Sequence, residues 1–128
     1  MVAAARDVGA NDPLRKALLD TLRPNVERDL QQKSLIFVVH VLRAQGDWAF
    51  AEVAPRTRAG KPIDFSKTRH AERLRLGMLD DDTIYVLLRR KGGRWKVVTF
   101  VVGPTDVAWD TWGEEYGAPR SLFAIRPG

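Results

Sequence analysis

The chain has 128 residues, 45% of them hydrophobic, with no cysteine and a formal net charge of +5. That length suits one domain burying roughly two thirds of its surface on folding; the composition excludes wholesale disorder, a membrane-crossing run of ~20 apolar residues, disulfides and thiolate chemistry. The charge is uneven: Arg56, Arg58, Lys61, Lys67, Arg69, Arg73 and Arg75 face only Asp64 and Glu72, so one connection holds the whole excess.

Residues 1–11, MVAAARDVGAN, lack a positive start followed by a long apolar stretch and do not read as an intact signal peptide. They are expected to be a flexible segment ahead of a single domain at 12–125. The alanines suit the start of an exported mature domain, periplasmic or secreted, and equally suit a frayed cytoplasmic terminus. Export is the favoured expectation, and the cytoplasm is the alternative.

Asn11-Asp12-Pro13 is a helix start, with Asp12 as the cap and Pro13 at the first helical position. Leu14, Leu18, Leu22, Val26 and Leu30 then recur every four residues, a stripe that winds round a 3.6-residue helix. Pro24 interrupts the run, which predicts helices over 13–22 and 24–32 with a bend between them. The runs LIFVVHVL at 35–42 and WAFAEV at 48–53 predict a hairpin turning at Gln45-Gly46. That register sets Arg43 opposite Trp48 and Val41 opposite Phe50. It gives the shallow face of His40, Leu42, Ala49 and Ala51 to the helix and leaves Glu52 on the other face.

Residues 55–79 read as a long connection, with a short helix near Ser66–Leu74 capped by Ser66. Asp80-Asp81-Asp82 leads into a second hairpin, TIYVLLRR and WKVVTFVV around Gly92-Gly93, a pair suited to a type I′ turn. Both faces of this hairpin are apolar, so both require cover. The helix should supply one cover; the 55–79 connection, the C-terminal segment or another subunit should supply the second. Beyond Gly103-Pro104, Thr105 or Asp106 should cap a helix with Trp109, Trp112 and Tyr116 on one face, ending at Gly117. The apolar stretch 121–125 should dock.

Helix, hairpin, long connection and hairpin define an α+β fold: a bent N-terminal helix on a four-stranded antiparallel meander with a short C-terminal helix. Together with GDWAF at 46–50, GGRW at 92–95, GPTDVAW at 103–109 and GAPRSLF at 117–123, it resembles the cystatin-like or NTF2-like roll. The resemblance is to small uncharacterised bacterial proteins, often exported. It implies a fold and no catalytic residue. The wider group includes isomerases and dehydratases as well as non-catalytic binding and dimerisation modules.

Candidate chemistry is sparse. His40 is the one titratable group in an apolar strand and the weak candidate for a pocket acid or base, although a satisfied sheet histidine is commoner. Asp64, His70 and Asp80–Asp82 form no metal-ligand pattern, and Ser34, Ser66 and Ser121 lie in no nucleophile elbow. No metal and no cofactor is expected. Arg90, Trp95, Trp109, Trp112 and Tyr116 are candidates for a ligand or partner surface. A weak polyanion surface would use Arg56, Arg58, Lys61, Lys67, Arg69, Arg89, Lys91 and Arg94.

The function expected is a non-catalytic binding or protein-interaction module for a small ligand or a protein, with the second sheet face available for a homodimer. The alternative is a small NTF2-like enzyme whose helix–sheet pocket contains His40. The third is weak binding of a polyanion or nucleic acid, and nucleic acid is the less favoured partner.

Overall fold

A computed structural model of the chain describes residues 4–123; Ala124 and Ile125 of the expected docking stretch lie outside the described residues. The fold is α+β. A five-stranded antiparallel meander runs in the order β1 (Arg6–Asp7), β2 (Ile36–Gln45), β3 (Trp48–Arg56), β4 (Ile84–Lys91) and β5 (Arg94–Val102). One helix precedes the long strands, α1 (Pro13–Leu30), and two short ones follow β3 and β5, α2 (Ala71–Arg75) and α3 (Trp112–Tyr116). The fifth strand comes from residues assigned above to a segment outside the domain. Arg6 pairs with Ala44 and Asp7 with Arg43, and Val8 enters the core.

Helix α1 starts as the sequence dictates, with the Asp12 carboxylate accepting from the amide of Leu14 at 2.9 Å. It does not divide at Pro24. A proline inside a helix costs about 3 kcal/mol through its missing N–H and ring clash. Beyond Pro24, Val26 and Leu30 are both fully buried, each contributing about 1.5–3 kcal/mol. The stripe of Leu18, Leu22, Val26 and Leu30 therefore holds one continuous helix on the sheet, and Gln31 ends it in the left-handed conformation.

The first hairpin turns at Gly46-Asp47, one residue later than expected, with Gln45 opposite Trp48 and Arg43 opposite Phe50. Gly46 supplies the positive φ of the turn, +58°. The larger correction lies within β2. A bulge falls between Val39 and Val41, where His40 is the extra residue. A bulge shifts the alternation of side chains by one position. Leu42 and Ala44 thus join Phe37 and Val39 on the helix side, while Val41 turns to the opposite face. Ile36 and Val38, expected under the helix, remain 45% and 43% exposed on the other side.

The second hairpin has its expected turn, with Gly92 and Gly93 at φ of +59° and +76° and Arg90 opposite Trp95. A second bulge near Val98 moves Val86 opposite Phe100 and Ile84 opposite Val102. Each face then has its own core. On one side α1 packs against Ala49, Ala51, Val53, Ile84, Val86 and Val102, and Ile63 and Phe65 of the connection close the margin. Ala49 and Ala51 are fully buried, as the close approach of a helix to a shallow face requires. On the other side residues 109–123 lay Trp109, Trp112, Leu122 and Phe123 over Phe50 and Leu87.

The C-terminal layer is the second cover. It begins with a 3-10 turn at Ala108–Thr111 that lacks a side-chain cap and passes into α3, which stops at Gly117 with φ of +78°. A final 3-10 turn, Arg120–Phe123, brings the chain back to the sheet. The helix expected in the connection is also broken: a 3-10 turn at Phe65–Lys67, capped by Asp64 rather than Ser66, and then α2.

Candidate functional site

Between the bulge of β2 and the C-terminal layer lies a cleft of about 530 Å3. Its apolar wall is Phe50 from β3, Tyr85 from β4 and Trp109 and Phe123 from the layer; its polar side is His40, Glu52 and Arg43. Tyr85 lies opposite Glu52 in the β3–β4 ladder, and its ring stacks on Trp109 at 6.0 Å and 26°. Asp7, Val8 and Arg15 line the far end of the cleft. Its aromatic wall lies on the face away from α1, and Arg15 of α1 reaches its edge.

Local structure explains how these groups meet. Without a bulge, His40 and Glu52 would point to opposite faces. Because His40 is the extra residue, it lines the cleft beside Val41, whose partner across the ladder is Glu52. Arg43, only 7% exposed, donates to the Leu122 carbonyl at 2.7 Å and lies 3.7 Å from Asp7. It ties the sheet to the C-terminal layer and so holds the cleft's two walls together. Ser121 adds a hydrogen bond to Gln45 at 2.8 Å.

Burial pushes the Glu52 carboxyl above the ordinary glutamate range; His40 and Arg43 pull it down, and Asp81 adds to the rise. Burial also raises Tyr85, reinforced by the negative charges of Glu52, Asp81 and Asp80 and opposed by a hydrogen bond from Trp109. A carboxyl harder to ionise in the folded chain than in the unfolded one favours unfolding once it is charged. Stability is therefore lost as pH rises from the ordinary glutamate range through the folded value. Glu52→Gln should melt above the wild type at pH 7, and the difference should close as the pH is lowered through the carboxylate range. Thermal melts of both proteins across that range check the sign; a variant melting lower at pH 7 would mean the carboxylate is held by a partner.

The remaining sequence candidates are dispersed. Trp112 is buried in the layer's packing, as is most of Trp109, whereas Tyr116 is 39% exposed and does not join the same apolar face. Arg90 sits 5.5 Å over Trp95 and bonds Asp47 at 2.9 Å, while Arg89 sits 4.8 Å over Trp48. Arg56 pairs with Asp82 at 2.6 Å and Arg69 with Asp29 at 3.5 Å. Arg58, Lys61, Lys67, Lys91 and Arg94 are exposed. The basic tip at 89–94 and the basic connection flank opposite ends of β3, a strand spanning about 27 Å. The two groups of cations do not form one surface.

His70 meets neither Asp64 nor Asp80–Asp82. Its Nε2 is 2.6 Å from Asp29 of α1 and its Nδ1 is 2.9 Å from the Arg73 guanidinium. Arginine can only donate, so Nδ1 accepts and Nε2–H donates to Asp29. Arg73 also donates to the Val102 carbonyl at 2.9 Å. This satisfied chain fastens the connection to α1 and to the end of β5. Among the described residues no group of acids and histidines could hold a metal ion, and no helix is long and apolar enough to cross a membrane.

Glu52, Tyr85, Phe50 and Phe123 are the site residues that spacing does not announce: three aromatics in core-like runs, and a carboxylate whose face depends on the bulge. Comparison with protein-family models, curated proteins and solved structures found no match to this chain.

Proposed function

We propose that the protein is a non-catalytic binding module resembling the cystatin-like or NTF2-like roll, and that its ligand is a small molecule held in the cleft between the β2 bulge and the C-terminal layer. One observation carries this: a cavity of about 530 Å3 with an aromatic wall and a small set of converging polar groups. Binding sites for small ligands commonly measure ~300–1,000 Å3 and have that mixture of lining. Self-association through the second sheet face has less support, because residues 109–123 occupy much of that face and leave Ile36 and Val38 as its exposed large apolar residues.

A fragment screen by amide chemical-shift mapping tests the assignment. Binders should perturb residues 39–43, 50–52 and 85 together. No binder at about 1 mM, or perturbations gathered elsewhere, would remove it. Acid–base catalysis is the second reading, favoured by the bulge that places His40 and Glu52 on one cleft. It requires that a bound fragment be converted over time in the same samples, with the conversion lost in His40→Ala; ligands that persist unchanged count against it.

A further inference from the structure

The cleft contains a carboxylate, Glu52, on which His40 and Arg43 act only through space. Five acidic side chains of the described residues are half-buried: Asp12, Glu27, Asp29, Glu52 and Asp82. Asp12 caps α1, Glu27 accepts from the amide of Leu35 at 3.0 Å, Asp29 holds His70 and Asp82 holds Arg56. Among the described residues, Glu52 alone of these has neither a hydrogen bond nor an ion pair. Half-buried charge is ordinarily paired, because water no longer solvates it fully.

The positive groups of the cleft are already engaged. Arg43 donates to Leu122 and lies near Asp7, and Arg15 donates to the Val8 carbonyl at 3.4 Å. Neither guanidinium is hydrogen-bonded or ion-paired to Glu52, whose carboxylate oxygens stay open as acceptors for a cationic group. Beside it the rings of Tyr85 and Trp109 line the cleft, and an aromatic face turned to a cavity attracts a cation brought within about 6 Å. Asp80 and Asp81 add negative field at Tyr85.

We infer that the ligand of this cleft is a small organic cation, a protonated amine on an apolar body about the size of one ring. The ammonium group sits on the Glu52 carboxylate, and the body lies against Tyr85 and Trp109. His40, the exposed extra residue of the bulge, lines the same cleft beside Val41. The inference rests on the cleft being a small-molecule site, and it adds the sign of the charge.

Calorimetric titration with three probes of one shape separates the two ideas: 2-phenylethylammonium, 2-phenylethanol and phenylacetate, each against the wild type and Glu52→Gln. The amine should bind the wild type at least about tenfold more tightly than the alcohol, with phenylacetate weakest. Glu52→Gln should erase the preference, binding amine and alcohol alike. Asp106→Asn, at an exposed acid outside the cleft, should behave as wild type. The alcohol or phenylacetate binding as tightly as the amine, or a preference that survives in Glu52→Gln, would overturn the cation assignment and leave a binding cleft. No binding of any probe up to about 10 mM would also overturn it, and the fragment screen would then decide separately whether the cleft binds anything. Circular dichroism of Glu52→Gln confirms that a loss is not unfolding.

Discussion

Replacing Phe50 with alanine should remove about 3–5 kcal/mol of stability, the range for deleting a buried phenylalanine. Phe50 is fully buried, and its ring is the centre of the second core: the centroids of Phe123, Trp109, Trp112 and Tyr85 lie 5.1, 5.8, 6.4 and 6.4 Å away. Well-oriented aromatic pairs each add about 0.5–1.5 kcal/mol beyond their buried area. A domain of this size has a total margin of about 5–15 kcal/mol, so the variant should stand near the edge of folding at room temperature. Urea titration followed by circular dichroism and tryptophan fluorescence reads the loss as a lower midpoint. A loss below about 1 kcal/mol would mean that residues 109–123 are not docked on the sheet in solution.

The second large effect is expected at Gly103, which ends β5 with φ of +53°. An added Cβ would lie 2.4 Å from the carbonyl oxygen of Asp81 and 2.6 Å from the Cδ1 of Leu79. The oxygen belongs to backbone held in place nearby: Asp80 donates to the Gly103 carbonyl at 3.1 Å, and Gly103 donates to Thr83 at 2.8 Å. The clash therefore has little room to relax. Gly103→Ala should cost about 2–4 kcal/mol, combining overpacking with left-handed strain. Gly92→Ala is the control, since an added Cβ there meets nothing within 4 Å and only the φ of +59° opposes it. Equal midpoints for the two variants would refute the role of close packing at Gly103.

Features set by near neighbours were legible from the residues alone. The cap at Asp12, the buried stripe from Leu18 to Leu30 and the turn at Gly92-Gly93 each depend on a few adjacent positions. Features set by packing across the molecule were not. The unbroken helix at Pro24 follows from burying Val26 and Leu30 against a sheet formed later in the chain. The bulge at His40 lies in a run of apolar residues that fit either phase, and only the two separate cores select between them. One unseen phase change was enough to hide the site. Regular alternation without it puts His40 and Glu52 on opposite faces and leaves Tyr85 and Phe50 looking like unremarkable core. The short β1 had no apolar alternation to betray it, because its pairing depends on β2.

The bond from Arg43 to Leu122 joins residues 79 positions apart. The two hairpins, by contrast, close through turns of two residues. Closing a long loop costs more chain entropy than closing a short one and yields no contact until it is complete. The hairpins can thus close while the Phe50 face is still wet, whereas both covers, α1 on β5 and the aromatic layer on β3, close long loops. The cleft lies at the seam between these two steps. Its shape is therefore complete only once the layer has docked, and it is lost when the layer lifts.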